Sequence, residues 1–318
     1  MKKETFDDNP KATDETEEEI SLGSDAGMAT GDDEPETTAA DDAAEEEREK
    51  EPLPDPVPTT DANVQPQDES IPVKGEQPVI TIRGLTKSFG DHEVLRGVDL
   101  HVKKGENLVI LGKSGTGKSV LIKCLVRLEW PDSGKVTIFD QDLDTLSYPE
   151  MNALRLRTGF LFQNAALYDS MTVRENLSFP LRQHKKTMSK EKKDTLIMEM
   201  LDNVGLADSI DQMPAKLSGG QSKRIGLART LILRPEIMLY DEPTTGLDTG
   251  TAKEISELIC KMKKKYNITS ITITHDMTCA RMTADRIIIM KDGIVYAEGS
   301  YADLEKSDDD WIRSFFDF

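Results

Sequence analysis

Apolar side chains gather in short runs from residue 79 onward, at Val79–Ile82, Val98–Val102, Leu108–Leu111, Val136–Phe139, Gly159–Phe162, Ile237–Tyr240, Ile268–Ile273, Ile287–Met290 and Ile294–Tyr296. Several of these runs are continuous rather than alternating, which predicts strands covered on both faces, as in a parallel sheet held between helices. Between them lie stretches with helical spacing, notably 118–128, 190–204, 220–233 and 251–266. Strand and helix therefore alternate, and the pattern predicts an α/β domain on a mainly parallel sheet. One segment breaks the alternation. From about 165 to 215 helical patterns follow one another with no strand between them, which predicts an inserted helical subdomain. Near the end, Ser307-Asp308-Asp309-Asp310 sets a capping hydroxyl and acids ahead of Trp311–Phe316, predicting a short terminal helix with an aromatic face. The expected divisions are residues 1–78, a domain over 79–300 and a helical extension over 301–318.

Charge sharpens the first division. The chain has 318 residues with 59 acidic and 40 basic side chains, a net charge of −19. Residues 1–78 hold 25 of the acids and 6 of the bases, so the remaining 34 and 34 cancel. With Phe6 as its single aromatic residue, this first stretch has too little apolar surface to offset its ordering entropy, and it reads as a disordered acidic tail. Its second part, with prolines spaced through Glu51–Pro58 and again at Pro66, Pro72 and Pro78, reads as an extended linker. Cys124, Cys260 and Cys279 are odd in number and widely spaced, which speaks against a disulfide framework or a zinc site. No eighteen apolar residues run together, and acid follows Met1-Lys2-Lys3 where a signal peptide would be apolar, so a cytoplasmic protein is expected. An acidic tail on a neutral body also lacks the basic footprint of direct nucleic-acid binding.

Chemistry enters at the third strand. Leu108–Leu111 runs into Gly112-Lys113-Ser114-Gly115-Thr116-Gly117-Lys118-Ser119 and then an apolar helix, the GxxxxGK[ST] phosphate loop in its strand–loop–helix setting. The glycines let successive N–H groups turn toward phosphate oxygens, and the helix N-terminus adds positive potential. Lys118 is the candidate for the β/γ phosphates and the Ser119 hydroxyl for Mg²⁺. Later, the strand Ile237–Tyr240 ends in Asp241-Glu242, two carboxylates that strand alternation points in different directions. Asp241 is placed to hold Mg²⁺ through water, and Glu242 to polarise the water that attacks a γ-phosphate.

Leu217-Ser218-Gly219-Gly220-Gln221 stands about a hundred residues after the phosphate loop and some twenty before the carboxylates. With Gln163 after a strand, Gly246-Leu247-Asp248 past the carboxylates and His275 after Ile268–Thr274, the ordered set resembles the ABC ATPases over about residues 79–300. The resemblance implies an α/β phosphate-loop fold with a mainly parallel central sheet, an antiparallel β subdomain and the helical insert. It implies roles for Gln163 (at the metal and in catalysis), His275 (in catalysis) and Asp248 (at the nucleotide). Phe89 sits where the family stacks an aromatic ring on adenine; phenylalanine keeps the π-face and lacks only the hydroxyl of the commoner tyrosine.

The resemblance further implies an Mg²⁺-dependent ATPase that works as a head-to-tail homodimer, the phosphate loop of one copy facing Ser218–Gln221 of the other. Permease subunits in a membrane would be its partners, and the cytoplasmic face of the inner membrane its place. The terminal helix could then pack on its own domain or on the second copy. Phe162–Leu177, Gly117–Lys123, Thr274–Met277 and Val295–Gly299 are similar to the Mla-type phospholipid-transport ATPases. That similarity implies phospholipid as cargo and leaves room for lipid-binding accessory subunits. The alternatives are an amino-acid, metal or lipoprotein transporter, or a soluble ABC protein acting on nucleic acid or ribosomes.

Overall fold

The computed structural model describes residues 78–316. The expectations of a disordered tail and an extended linker fall on residues outside them, except at Pro78, which is the first residue of a strand and so belongs to the domain. Two long strands open the described chain, β1 (Pro78–Phe89) and β2 (His92–Lys103), followed by β3 (Asn107–Leu111) and α1 (Lys118–Leu125). Next come β4 (Ser133–Ile138), β5 (Gln141–Asp142), α2 (Tyr148–Arg157) and β6 (Thr158–Leu161). Then α3 (Val173–His184), α4 (Lys190–Asn203) and α5 (Gly219–Leu231) follow without a strand, with one-turn helices at Ala207–Ser209 and Pro214–Lys216. The last part is β7 (Ile237–Asp241), α6 (Thr249–Tyr266), β8 (Thr269–Ile273), α7 (Met277–Thr283), β9 (Arg286–Lys291), β10 (Ile294–Gly299), α8 (Tyr301–Glu305) and α9 (Asp310–Arg313).

These strands form two sheets. A six-stranded sheet has the order β10-β9-β3-β8-β7-β6, parallel except for β10, which pairs antiparallel with β9. Its central strands β3, β7 and β8 are buried at every position, as their unbroken apolar runs require. The second sheet, β2-β1-β4-β5, is antiparallel throughout. Here β1 and β2 run to 12 residues each, far beyond the runs Val79–Ile82 and Val98–Val102. The β1–β2 register shifts between Ile82 and Leu85 and again between Leu85 and Thr86, and each shift interrupts the period of two that a sequence reading follows.

Three apolar clusters surround the six-stranded sheet. Leu239 joins the cluster formed with the antiparallel sheet, α1 and α2, while its neighbours Met238 and Tyr240 join one built with α3 to α6. The helical insert therefore shares a core with one face of the sheet. The third cluster lies under the chain end, where Ile312 packs with Val109, Leu111, Ile287 and Ile289. Trp311 stands edge-on to Tyr296 and Phe315, and Phe316 to Tyr301. The aromatic face of the terminal helix is thus covered by its own domain. None of the described helices is long and apolar enough to cross a membrane.

Candidate active site

The loop after β3 is shaped by what its glycines permit. Gly117 caps α1 at φ +93, and a Cβ there would come within 2.7 Å of the Val94 carbonyl oxygen. At Gly112 a Cβ would meet the Met290 carbonyl oxygen and Thr116 Oγ1, each at 2.7 Å. Lys118 folds back over the loop, its Nζ donating to the carbonyls of Gly112 (2.8 Å) and Lys113 (2.9 Å). Burial lowers the pKa of this ammonium from the ordinary lysine value, against the opposing pull of Glu242 and Asp241. An ammonium has three donors, so one remains for a phosphate oxygen.

The carboxylates after β7 diverge as alternation predicts. Asp241 accepts a hydrogen bond of 2.9 Å from the Ser119 hydroxyl. A hydroxyl and a carboxylate in contact make the hard oxygen donor set that suits Mg²⁺, so these residues fit the ion the family implies. Glu242 takes a left-handed backbone, φ +52, which a side chain with a Cβ adopts at a cost. Its N–H donates to the Ile273 carbonyl (2.9 Å), and its Oε2 accepts from Thr245 Oγ1 (3.0 Å) and lies 2.7 Å from His275 Nδ1. Chain order alone singled out His275; its contact with Glu242 is a tertiary observation.

Phe89, Gln163, Glu242 and His275 face Gly112, Ser114–Ser119 and one another across a cavity of about 730 Å³. Phe89 is 47% exposed and presents an open ring at the end of β1. Lys113 borders an adjoining cleft of about 660 Å³ with Trp311 and Lys291 and is not among the residues lining the Lys118 cavity; its carbonyl accepts from Lys118 Nζ. Ser218 caps α5 in a reciprocal box, with Gln221 N–H donating to its hydroxyl (3.2 Å) and its own N–H to Gln221 Oε1 (2.9 Å). Gly220 is pressed against Thr251, whose methyl carbon a Cβ would approach to 2.4 Å. Asp248 caps α6, accepting from Thr251 N–H (3.0 Å) and Thr251 Oγ1 (2.6 Å). Within a single chain, Ser218–Gln221 and Asp248 do not line the Lys118 cavity.

One buried side chain beside this site was missed by the sequence reading. Lys223 on α5 donates from Nζ to the carbonyls of Gln163 and Glu242. Its legible signal was a lysine on the inward stripe of α5, three residues after Gly220 and four before Leu227.

Residues 95–245 match the family model described as ABC transporter. The chain is 40% identical over 221 residues to the methionine import ATP-binding protein MetN of Rhizobium johnstonii, covering 70% of this chain and 60% of the relative. It therefore spans about three fifths of that relative's length. It is 39% identical over 236 residues to the probable ribonucleotide transport ATP-binding protein mkl of Mycobacterium leprae, covering 74% of this chain and 68% of the relative. Among solved structures, the dimeric post-hydrolysis state of the ATP-binding cassette MJ0796, bound to ADP and Pi, superimposes with a TM-score of 0.64 at 33% identity, covering 70% of this chain and 98% of the other. The phosphate loop, the diverging carboxylates and the capped glycine pair stand on one α/β scaffold with these likenesses, and the chain belongs to the ATP-binding cassettes of the ABC transporter family.

Proposed function

We propose that the chain binds and hydrolyses ATP, and that two copies together drive a permease in a membrane. The observation that carries this reading is the convergence of Lys118, Ser119 and the Glu242–His275 pair on one cavity, with Asp241 hydrogen-bonded to Ser119. Lys118 and the loop N–H groups bind the phosphates, and the Phe89 ring stacks on the base. Ser119 and Asp241, with Gln163 beside them, would hold Mg²⁺, which would supply charge stabilisation for the transferred phosphoryl group. Glu242 orients the attacking water and takes up its proton, and His275 holds the Oε2 edge of that carboxylate.

The second copy supplies what one chain lacks. Ser218–Gln221, at the N-terminus of α5, offers N–H donors and a positive helix end to a γ-phosphate bound by the partner's loop. Asp248 stands beside that contact. The motor therefore closes with ATP and opens after hydrolysis, and it sits at the membrane through its permease, on the cytoplasmic face.

For cargo, the relative named for methionine import favours a small polar solute such as an amino acid, the alternative weighed above. Phospholipid and lipid-binding accessory subunits, implied by the similarity of Phe162–Leu177, are not supported by the relatives and stand second. Recovery of the tagged full chain from membranes, with mass spectrometry of bound subunits and ATPase assays in proteoliposomes, tests the reading. Expected are a co-purifying integral membrane protein and hydrolysis stimulated by an amino-acid-loaded binding protein. Stimulation by phospholipid instead would reverse the cargo order. A soluble homodimer stimulated by nucleic acid would overturn the transport reading.

A further inference from the structure

Helix α5 carries a cation that the phosphate chemistry does not use. Lys223 is buried and forms no ion pair with any described residue; its Nζ donates to two backbone carbonyls, those of Gln163 and Glu242, the latter at 3.2 Å. Burying an ammonium without a paired carboxylate is costly, so its placement calls for a reason. The desolvation penalty is offset in part by the nearby charges of Glu242 and Asp241.

Its two acceptors lie in the loop after β6, which carries Gln163, and in the turn after β7, which carries Glu242. Both carry backbone strain. Glu242 has φ +52, and Ala165 and Ala166 have φ +57 and +49, three left-handed residues with side chains. The same helix face grips the loop twice more. Gly226 lies so close under Ala165 that a Cβ would come within 2.8 Å of the alanine methyl carbon. Arg229 donates from Nη1 to the Ala166 carbonyl (2.5 Å), and its guanidinium lies 4.7 Å from the centre of the Tyr168 ring. Positions 223, 226 and 229 form one stripe along α5.

We propose that Lys223 is a positioning residue for hydrolysis: by tying the Gln163 carbonyl to the Glu242 carbonyl, it holds the water-orienting carboxylate in place only while the loop after β6 is seated on α5. Lys223 does not line the nucleotide cavity, so it acts through Glu242 and leaves ground-state binding alone. The inference rests on the hydrolysis reading above.

The test compares Lys223→Met, which keeps length and loses charge and donors, with Lys223→Arg, which keeps both. Single-turnover ATP hydrolysis and affinity for a non-hydrolysable ATP analogue are measured in the full chain, in the native and Glu242→Gln backgrounds. Lys223→Met should lower the rate about tenfold or more with affinity kept within about twofold, and Lys223→Arg should restore much of the rate. In the Glu242→Gln background the further loss should be less than about twofold, because both changes act through one carboxylate. An unchanged rate, a parallel fall in affinity, or an equal loss in both backgrounds would overturn the proposal. If thermal melting shows Lys223→Met to be unfolded, Lys223→Gln takes its place in the same comparison. Wild-type turnover by Glu242→Gln alone would instead defeat the hydrolysis reading.

Discussion

At the scale of single residues, two changes in one cavity should have opposite signatures. Glu242→Gln keeps the size of the side chain and its contact with Thr245, and removes the base. Hydrolysis should fall about 10²-fold or more while nucleotide affinity holds, as read by single-turnover kinetics beside equilibrium binding. Lys118→Ala removes a cation that is already desolvated by the loop, so it should weaken binding itself. Unchanged affinity would count against the loop as the phosphate cradle. Lys118, Ser119, Asp241 and Glu242 were legible in the sequence because each sits at a fixed offset from a strand end, and local geometry then fixes its direction. For Lys223 only the inward position on α5 was legible, not the contacts, because its partners are backbone carbonyls 60 and 19 residues away.

At the scale of elements, α5 is where cap, seat and grip meet. Ser218 and Gln221 close its N-terminus, a box visible in sequence as Ser-x-x-Gln. Its other duty rests on an absent side chain. Gly226→Ala would set a methyl against Ala165, with three atoms at 2.8 to 3.1 Å, in a loop already in left-handed backbone. The loop should lift off α5, with a stability loss of about 1–3 kcal/mol in denaturant titration and a fall in hydrolysis. Wild-type stability and rate together would show the loop to be more yielding than its packing implies. In β1 and β2, by contrast, the sequence showed only fragments of the strands, since each irregularity of register resets which positions face the core.

At the scale of the whole molecule, Ser218–Gln221 are not among the residues that line the Lys118 cavity of their own chain. A second copy in head-to-tail arrangement would complete it. The Glu242→Gln chain with ATP should therefore elute at twice the monomer mass in size-exclusion chromatography, and return to monomer when Ser218→Arg is added. That added change should cost the fold only about the 1 kcal/mol of a lost cap, as thermal melting would show. A Glu242→Gln chain that stays monomeric in saturating ATP would contradict the shared site.

The chain's sequence by itself determined the strand–helix alternation, the phosphate loop, the carboxylate pair and the order of motifs, because each depends on neighbours within a few residues. Tertiary structure alone decided that His275 reaches Glu242, that Lys223 joins the turn after β7 to the loop after β6, and that Trp311 and Ile312 close over their own domain. Those contacts unite segments 15 to more than 200 residues apart. Their partners are set by how the sheet stacks against its helices, and no local spacing encodes that stacking.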